Sequence, residues 1–260
     1  MTLISEKSLR RLIRESLLQE GVYDPGILKA VFLAGGPGSG KSYTAKGIFG
    51  VPKDMKLAAG TAAGLRFINS DPAFEHELRK MGIDPKTLSS ISAEKFKELT
   101  APTDSPRARA KSQRKAMERI SIGGRLGLVL DGTGDDYDKI KKKKAQLEEL
   151  GYDAYMIFIN TSLEVAQERN AKRDRALPKD LVKKIWEGVQ QNMGGFQDLF
   201  GSDFRIVDNT DYTKNNVANV EKAVKSFLRE PIRNPIGRKW IAAELEMKGP
   251  KARLPKNRPF

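Results

Sequence analysis

The eight residues Gly35 to Ser42 read GGPGSGKS, directly after the apolar run Ala30-Val31-Phe32-Leu33-Ala34 and directly before Tyr43 to Phe49, a segment able to continue as a helix. This order of strand, glycine-rich loop and helix is the context in which a phosphate-binding loop works. Gly35, Gly36, Gly38 and Gly40 let the backbone turn with its N–H groups inward, where a Cβ would crowd a polyphosphate, and Pro37 and Ser39 complete the loop. Lys41 brings a mobile cation to the β- and γ-phosphates. Ser42 offers a hydroxyl to Mg²⁺, and Tyr43 follows in the first turn of a helix whose positive dipole end faces the same anion. A plain tight turn would account for the glycines but not for Lys-Ser at that offset. The chain is therefore expected to bind a nucleoside triphosphate, with ATP and Mg²⁺ as its cofactors.

At 260 residues, 39% of them hydrophobic, the chain has material for one sizeable α/β domain plus appendages. No stretch approaches the roughly 18 to 20 apolar residues of a membrane span, and the N-terminus lacks an apolar signal core, so a cytoplasmic protein without a membrane partner is expected. The absence of cysteine excludes disulfides and thiolate zinc sites, and the single His76 can supply neither a histidine metal cluster nor a nucleophile–histidine pair. Catalysis must therefore fall to carboxylates, Lys and Arg. The net charge of +14 favours polyanionic partners. Basic residues gather over 95–120, at Lys139 and Lys141 to Lys144, and over 229–260, and either solvated helix faces or a nucleic-acid surface accounts for such runs.

Strands are predicted at 29–34, 65–69, 126–130, 154–159 and 204–207, each separated by helical pattern, which is the alternation of a parallel sheet covered on both faces. The expected class is α/β. Before it, 3–20 reads as an amphipathic helix carrying Leu9, Leu12, Ile13 and Leu17, and 21–26 reads as a linker. From Arg229 onward, Pro231, Pro235, Pro250, Pro255 and Pro259 leave room for one short helix near Arg238 to Met247. The chain thus divides into an N-terminal helix and linker at 1–26, a nucleotide-binding domain at 27–228, and a basic Pro-rich extension at 229–260, expected to be an extended or partly disordered arm.

Three further signals bear on chemistry. The strand Leu65 to Asn69 runs into Asp71, placing a carboxylate at the ligand-binding edge of the sheet, where it can accept a proton from a hydroxyl or cap the helix starting near Pro72. The strand Leu126 to Leu130 ends in Asp131-Gly132-Thr133-Gly134, so Asp131 can hold Mg²⁺ beside the loop or serve as a turn residue. Val129 stands where an aspartyl-phosphate phosphatase would need its second Asp, which closes that reading. Arg169 and Arg173 are four apart, hence on one helix face, and Arg175 precedes Pro178; together they suit a mobile phosphate clamp or an ordinary charged helix end.

Taken together, Gly35 to Ser42, Ile68 to Asp71, Leu130 to Gly134 and a lid at 169–178 resemble the P-loop kinase group of the phage 5′-hydroxyl polynucleotide kinases and the zeta toxins, over roughly residues 28–228. The resemblance implies a three-layer sandwich with a five-stranded parallel sheet and a helical lid. It also implies that Asp71 is the catalytic base, that Lys41, Arg169 and Arg173 act on the transferring phosphoryl group, and that Arg169 and Arg175 touch the nucleotide. The lid is closest to the polynucleotide kinases, whereas Gly132-Thr133-Gly134 and Leu199 to Asp203 are similar to zeta toxins, which phosphorylate a UDP-linked amino sugar. Phe74 stands where polynucleotide kinases carry an Arg for the acceptor phosphate, so discrimination for a 3′-phosphorylated nucleotide is expected to be weak. Phe74 itself is open to stacking on a base or to anchoring its helix.

The basic helix predicted at 104–122, with Arg107 and Arg114, borders the acceptor side and suits a nucleic-acid backbone, and Thr133 joins Asp71 and Phe74 among the candidate acceptor contacts. The expected activity is ATP-dependent phosphorylation of a nucleic-acid hydroxyl, at a 5′-end or a hydroxymethylated base, in the cytoplasm, or the host's cytoplasm if a phage encodes the chain. A kinase of a nucleotide sugar or other small molecule is the second expectation. An ATP-binding assembly protein is the third.

Overall fold

A computed structural model describes residues 21–51, 64–89, 91–173, 176–211 and 214–248. Five parallel strands, β1 (Lys29–Ala34), β2 (Leu65–Ile68), β3 (Gly127–Asp131), β4 (Asp153–Asn160) and β5 (Phe204–Asp208), form one sheet in the order β2-β3-β1-β4-β5. The helices are α1 (Lys41–Ile48), α2 (Asp71–Lys80), α3 (Ala93–Thr100), α4 (Pro106–Gly123), α5 (Tyr137–Glu149), α6 (Leu163–Ala171), α7 (Lys179–Phe200), α8 (Lys214–Arg229) and α9 (Pro235–Lys248). The three-layer arrangement expected from the sequence is present, and each observed strand overlaps its predicted range.

The sheet is covered on both faces because its strands are apolar on both. Along β1, Ala30, Phe32 and Ala34 join the core beneath α5 and α7 with Phe158, Phe196 and Phe200. The alternate residues Val31 and Leu33 join the opposite core with Ile48, Ile157, Val224 and Phe227. A third, smaller cluster of Phe74, Leu78, Leu88, Leu99 and Ala110 fastens α2, α3 and α4 together beside β2. With β1 central, the loop after it opens between the strand ends of β3 and β4, the crevice where sheets of this kind bind ligands.

The described segments that flank the expected nucleotide-binding domain pack against it at both ends. Asp24, placed in a linker by its Asp-Pro context, is buried; its carboxylate accepts from Gly26 N at 2.9 Å and from Arg66 Nη1 at 2.6 Å. The extension after residue 228 is docked on the core as far as Lys248. Ile232 is buried in the first core, and Asp153 accepts from the backbone N–H groups of Arg233 and Asn234, each at 2.9 Å. The same carboxylate pairs with Lys29 Nζ at 3.1 Å, so the buried amine and the chain's return share one anion. Burial pushes the Lys29 pKa down, and Asp153 opposes that shift. The predicted helix at 3–20 and the tail from 249 lie outside the described residues.

The docking of α9 depends on two glycines. Gly151 has φ +96°, and a Cβ on Gly237 would overlap the Gly151 carbonyl oxygen. Gly237→Ala is expected to cost about 1–3 kcal/mol, the usual penalty for forcing an atom into a filled contact. Urea unfolding of the two proteins measures it, and equal midpoints would show that α9 contributes nothing to the fold.

Candidate active site

The loop after β1 is shaped from behind as much as from its mouth. Gly38 and Gly40 have φ +78° and +79°, the left-handed region that glycine adopts at no steric cost. A Cβ at Gly38 would overlap the Ala166 carbonyl on α6, and one at Gly40 would overlap the Asn209 amide after β5. Clearance for a polyphosphate is one reason for these glycines; at these two positions the protein's own packing also requires them. Asn209, buried, donates from Nδ2 to the Ser39 carbonyl at 2.6 Å, and its own carbonyl accepts from Arg169 Nη1 at 2.7 Å.

Strand register carries the acids to this loop. Leu33 pairs with Asp131, so the β3 carboxylate stands beside the end of β1 and forms a close ion pair with Lys41. Its other oxygen accepts from Asn69 Nδ2 at 2.8 Å, while Asn69 Oδ1 accepts from the Asp71 N–H at 2.8 Å. Asn69, to which sequence reasoning gave no role, thus ties the two strand-end acids together. Asp71 is the first residue of α2, preceded at the capping position by Ser70, whose side chain makes no capping hydrogen bond. Its Oδ1 accepts from Arg107 Nη1 at 2.9 Å.

Gly35, Gly36, Pro37, Gly38, Gly40 and the rim residues Lys41, Ser42 and Tyr43 border a cavity of about 410 Å³, which Asp71, Asp131, Thr133, Arg169, Arg173 and Leu177 close from the other sides. Ser39 is buried under the loop rather than on its rim. Three features fit a nucleoside triphosphate with Mg²⁺: a glycine backbone cradle, the Lys41 cation, and hard oxygen donors in Ser42 and Asp131. Bound there, Mg²⁺ would neutralise charge on the phosphates.

The lid differs from its sequence reading. Helix α6 ends at Ala171, so Arg173 lies beyond it and does not share a helix face with Arg169. Arg169 has its guanidinium on the Asn209 and Thr210 carbonyls, at 2.7 and 3.4 Å, where it braces the loop; Arg173 is exposed at the mouth. Arg175 lies outside the described residues. The buried Asn170 staples the returning lid by donating to the Leu177 carbonyl at 2.8 Å and accepting from its N–H at 3.1 Å. Helix α7 is then fixed to the strand ends by Trp186 Nε1 on the Thr161 carbonyl at 2.8 Å and Asn192 Nδ2 on the Gly134 carbonyl at 3.0 Å. Asn170 lay within the lid motif without a role of its own, and Trp186, Asn192 and Asn209 carried no sequence motif; only their positions near strand or helix ends could have suggested them.

On the acceptor side, Phe74 is 3% exposed within the third cluster, so its reading as a base-stacking residue is corrected: the ring anchors α2 and carries the Arg107 guanidinium 5.2 Å from its centroid. Thr133 and Asp131 also border a second cavity of about 450 Å³, reached by Arg114, Lys111 and Lys115 from α4 and by Lys139 and Lys143 from α5.

A parallel sheet with the glycine loop on its central strand, acids on the neighbouring strand ends and a lid across the mouth defines a P-loop kinase fold. Residues 31–195 match the AAA domain family model, and the chain belongs to that family. No curated protein sequence matches it. Among solved structures, a chain of the Pnkp1/Rnl/Hen1 RNA repair complex is similar at 17% identity over 65% of this chain, with a TM-score of 0.44; this chain spans 46% of its length. A chain of the PezAT toxin–antitoxin system of Streptococcus pneumoniae is similar at 14% identity, covering 88% of this chain and 98% of its own, with a TM-score of 0.46. Shikimate kinase from Bacteroides thetaiotaomicron is similar at 13% identity over 78% of this chain and 99% of its own, with a TM-score of 0.44. Among the described residues no helix is long and apolar enough to cross a membrane.

Proposed function

We propose that this protein is an ATP-dependent kinase that transfers the γ-phosphoryl group to a hydroxyl of a nucleic acid. The observation that carries the reading is the junction of two cavities at Asp131 and Thr133: one holds the glycine loop with Lys41 and Asp71, the other is lined by five Lys and Arg side chains on α4 and α5 against the three acids Asp131, Asp135 and Asp136. In the reaction the acceptor hydroxyl gives its proton to Asp71, its oxygen bonds to the γ-phosphorus, and the bond to the β-phosphate oxygen breaks to release ADP. Lys41 and the loop N–H groups hold the phosphates, Arg173 offers charge at the mouth, and Arg169 keeps the loop in shape. The compact size of the second cavity favours a second reading, in which the acceptor is a single nucleotide or nucleotide sugar rather than a strand.

Labelled-ATP transfer to 5′-hydroxyl DNA, 5′-hydroxyl RNA, hydroxymethyl-base DNA and a UDP-amino sugar separates these readings. Label is expected on a polynucleotide. Oligonucleotide binding is expected to fall about a hundredfold between 50 and 200 mM salt if roughly four phosphates are contacted. Exclusive labelling of the sugar would overturn the nucleic-acid reading, and ATP binding without transfer to any acceptor would overturn the kinase reading in favour of an assembly protein.

A further inference from the structure

Helix α9 is held to the core along one side. Gly237 lies against Gly151, just before β4, and Trp240 and Ile241 pack on the first core, so the helix sits at the end of the sheet where the strands begin, opposite the glycine loop. Beside that buried side, Ile236, Trp240, Ala243 and Met247 follow one another at intervals of four, three and four, which places them on a single stripe of the helix. Ile236 is 50% exposed and Met247 73%, Ala243 is exposed, and Trp240 is half-buried. The stripe is thus an apolar seam open to solvent.

The N-terminal part of the chain arrives beside this seam. At the 3₁₀ turn Gly21–Tyr23, Val22 and Tyr23 are buried, and the ammonium of Lys248, the last residue of α9, stands 5.2 Å from the centroid of the Tyr23 ring. Residues 3–20, which precede that turn, carry by sequence a second apolar stripe, Leu9, Leu12, Ile13 and Leu17, at helical spacing. As a helix they would span about 27 Å, enough to run the whole of α9 at about 21 Å. With their end fixed at the last turn of α9, they can lie along the seam only parallel to it. Charges then meet in opposite pairs: Glu6 comes to the end of α9 that bears Arg238 and Lys239, Arg10 and Arg14 to the half that bears Glu244 and Glu246, and Glu20 to Lys248, while Lys7, Arg11 and Glu15 fall on the far face.

We propose that residues 3–20 form a helix that lies parallel to α9 and covers the seam from Ile236 to Met247 within the same chain. A helix of that length is marginal in water by itself, so the seam is what stabilises it. The connection through residue 21 is direct, and so short a tether gives the chain's own segment a large advantage over that of a second copy.

Hydrogen exchange read by mass spectrometry on the full chain tests the proposal. Peptides within 3–20 are expected to exchange at least about tenfold more slowly than an unstructured chain of the same sequence. Met247→Glu and Ala243→Glu, at exposed positions of the seam, are each expected to remove that protection while β1 and β4 peptides keep theirs, which shows the fold intact. Leu181→Glu, at an exposed apolar position of α7 outside the seam, is expected to change nothing. Sedimentation of the same samples is expected to show the protected protein as a monomer. An unprotected 3–20 in the wild type, protection that survives both seam variants, or equal loss in Leu181→Glu overturns the proposal. Protection found only in a dimer also overturns it, in favour of a second copy as the occupant.

Discussion

Asp71→Asn is expected to keep nucleotide binding and to lose phosphoryl transfer by roughly 10² to 10⁴, the range general base catalysis provides. The substitution is nearly isosteric. The amide oxygen can still accept from Arg107, whose guanidinium lies 2.9 Å from Oδ1, and the backbone N–H of residue 71 still donates to Asn69 Oδ1. What disappears is the capacity to take a proton. Nucleotide affinity and transfer rate are measured separately, by titration with a fluorescent ATP analogue and by single-turnover labelling. Affinity and rate falling together would show that Asp71 shapes the nucleotide site instead of serving the acceptor.

Lys41→Ala is expected to cost about 3 to 4 kcal/mol of transition-state stabilisation, roughly 10² to 10³ in transfer, comparable to removing one preorganised donor from developing charge. Lys41 starts the helix that follows the phosphate-binding loop, and its partner Asp131 keeps its hydrogen bond from Asn69 when the amine is gone. The fold should therefore survive, which a thermal melt checks alongside the transfer assay. Wild-type transfer by a folded Lys41→Ala protein would overturn the assignment of the nucleotide site.

The features that could be read in advance were those set by local order in the chain. Strands buried on both faces are unbroken apolar runs, which is why the five predicted ranges overlap the observed strands, and an acid just after such a run must stand at the sheet's carboxyl edge, as Asp71 and Asp131 do. The errors arose where that local signal misleads. Asp24-Pro25 has the composition of a linker, yet Arg66 and the Gly26 N–H make its burial tolerable. The Pro-rich segment after Arg229 suggested an arm with one short helix near Arg238 to Met247; the helix is there, within Pro235–Lys248, but Asp153, far away in sequence, binds the backbone just before it and docks the segment on the core. Arg169 and Arg173 had helical spacing, but the helix ends between them.

The phosphate-binding loop, the α/β alternation and the carboxylates available for chemistry were legible in residue order, because glycine conformational freedom, strand periodicity and side-chain charge are properties of neighbouring residues. Tertiary structure alone decided that Asn209 grips the loop at Ser39, that Phe74 turns inward, and that Arg107 meets Asp71. Each of these is a contact between segments well separated in the chain or a choice of packing face, fixed only when the sheet order and the two helix layers close around the strands.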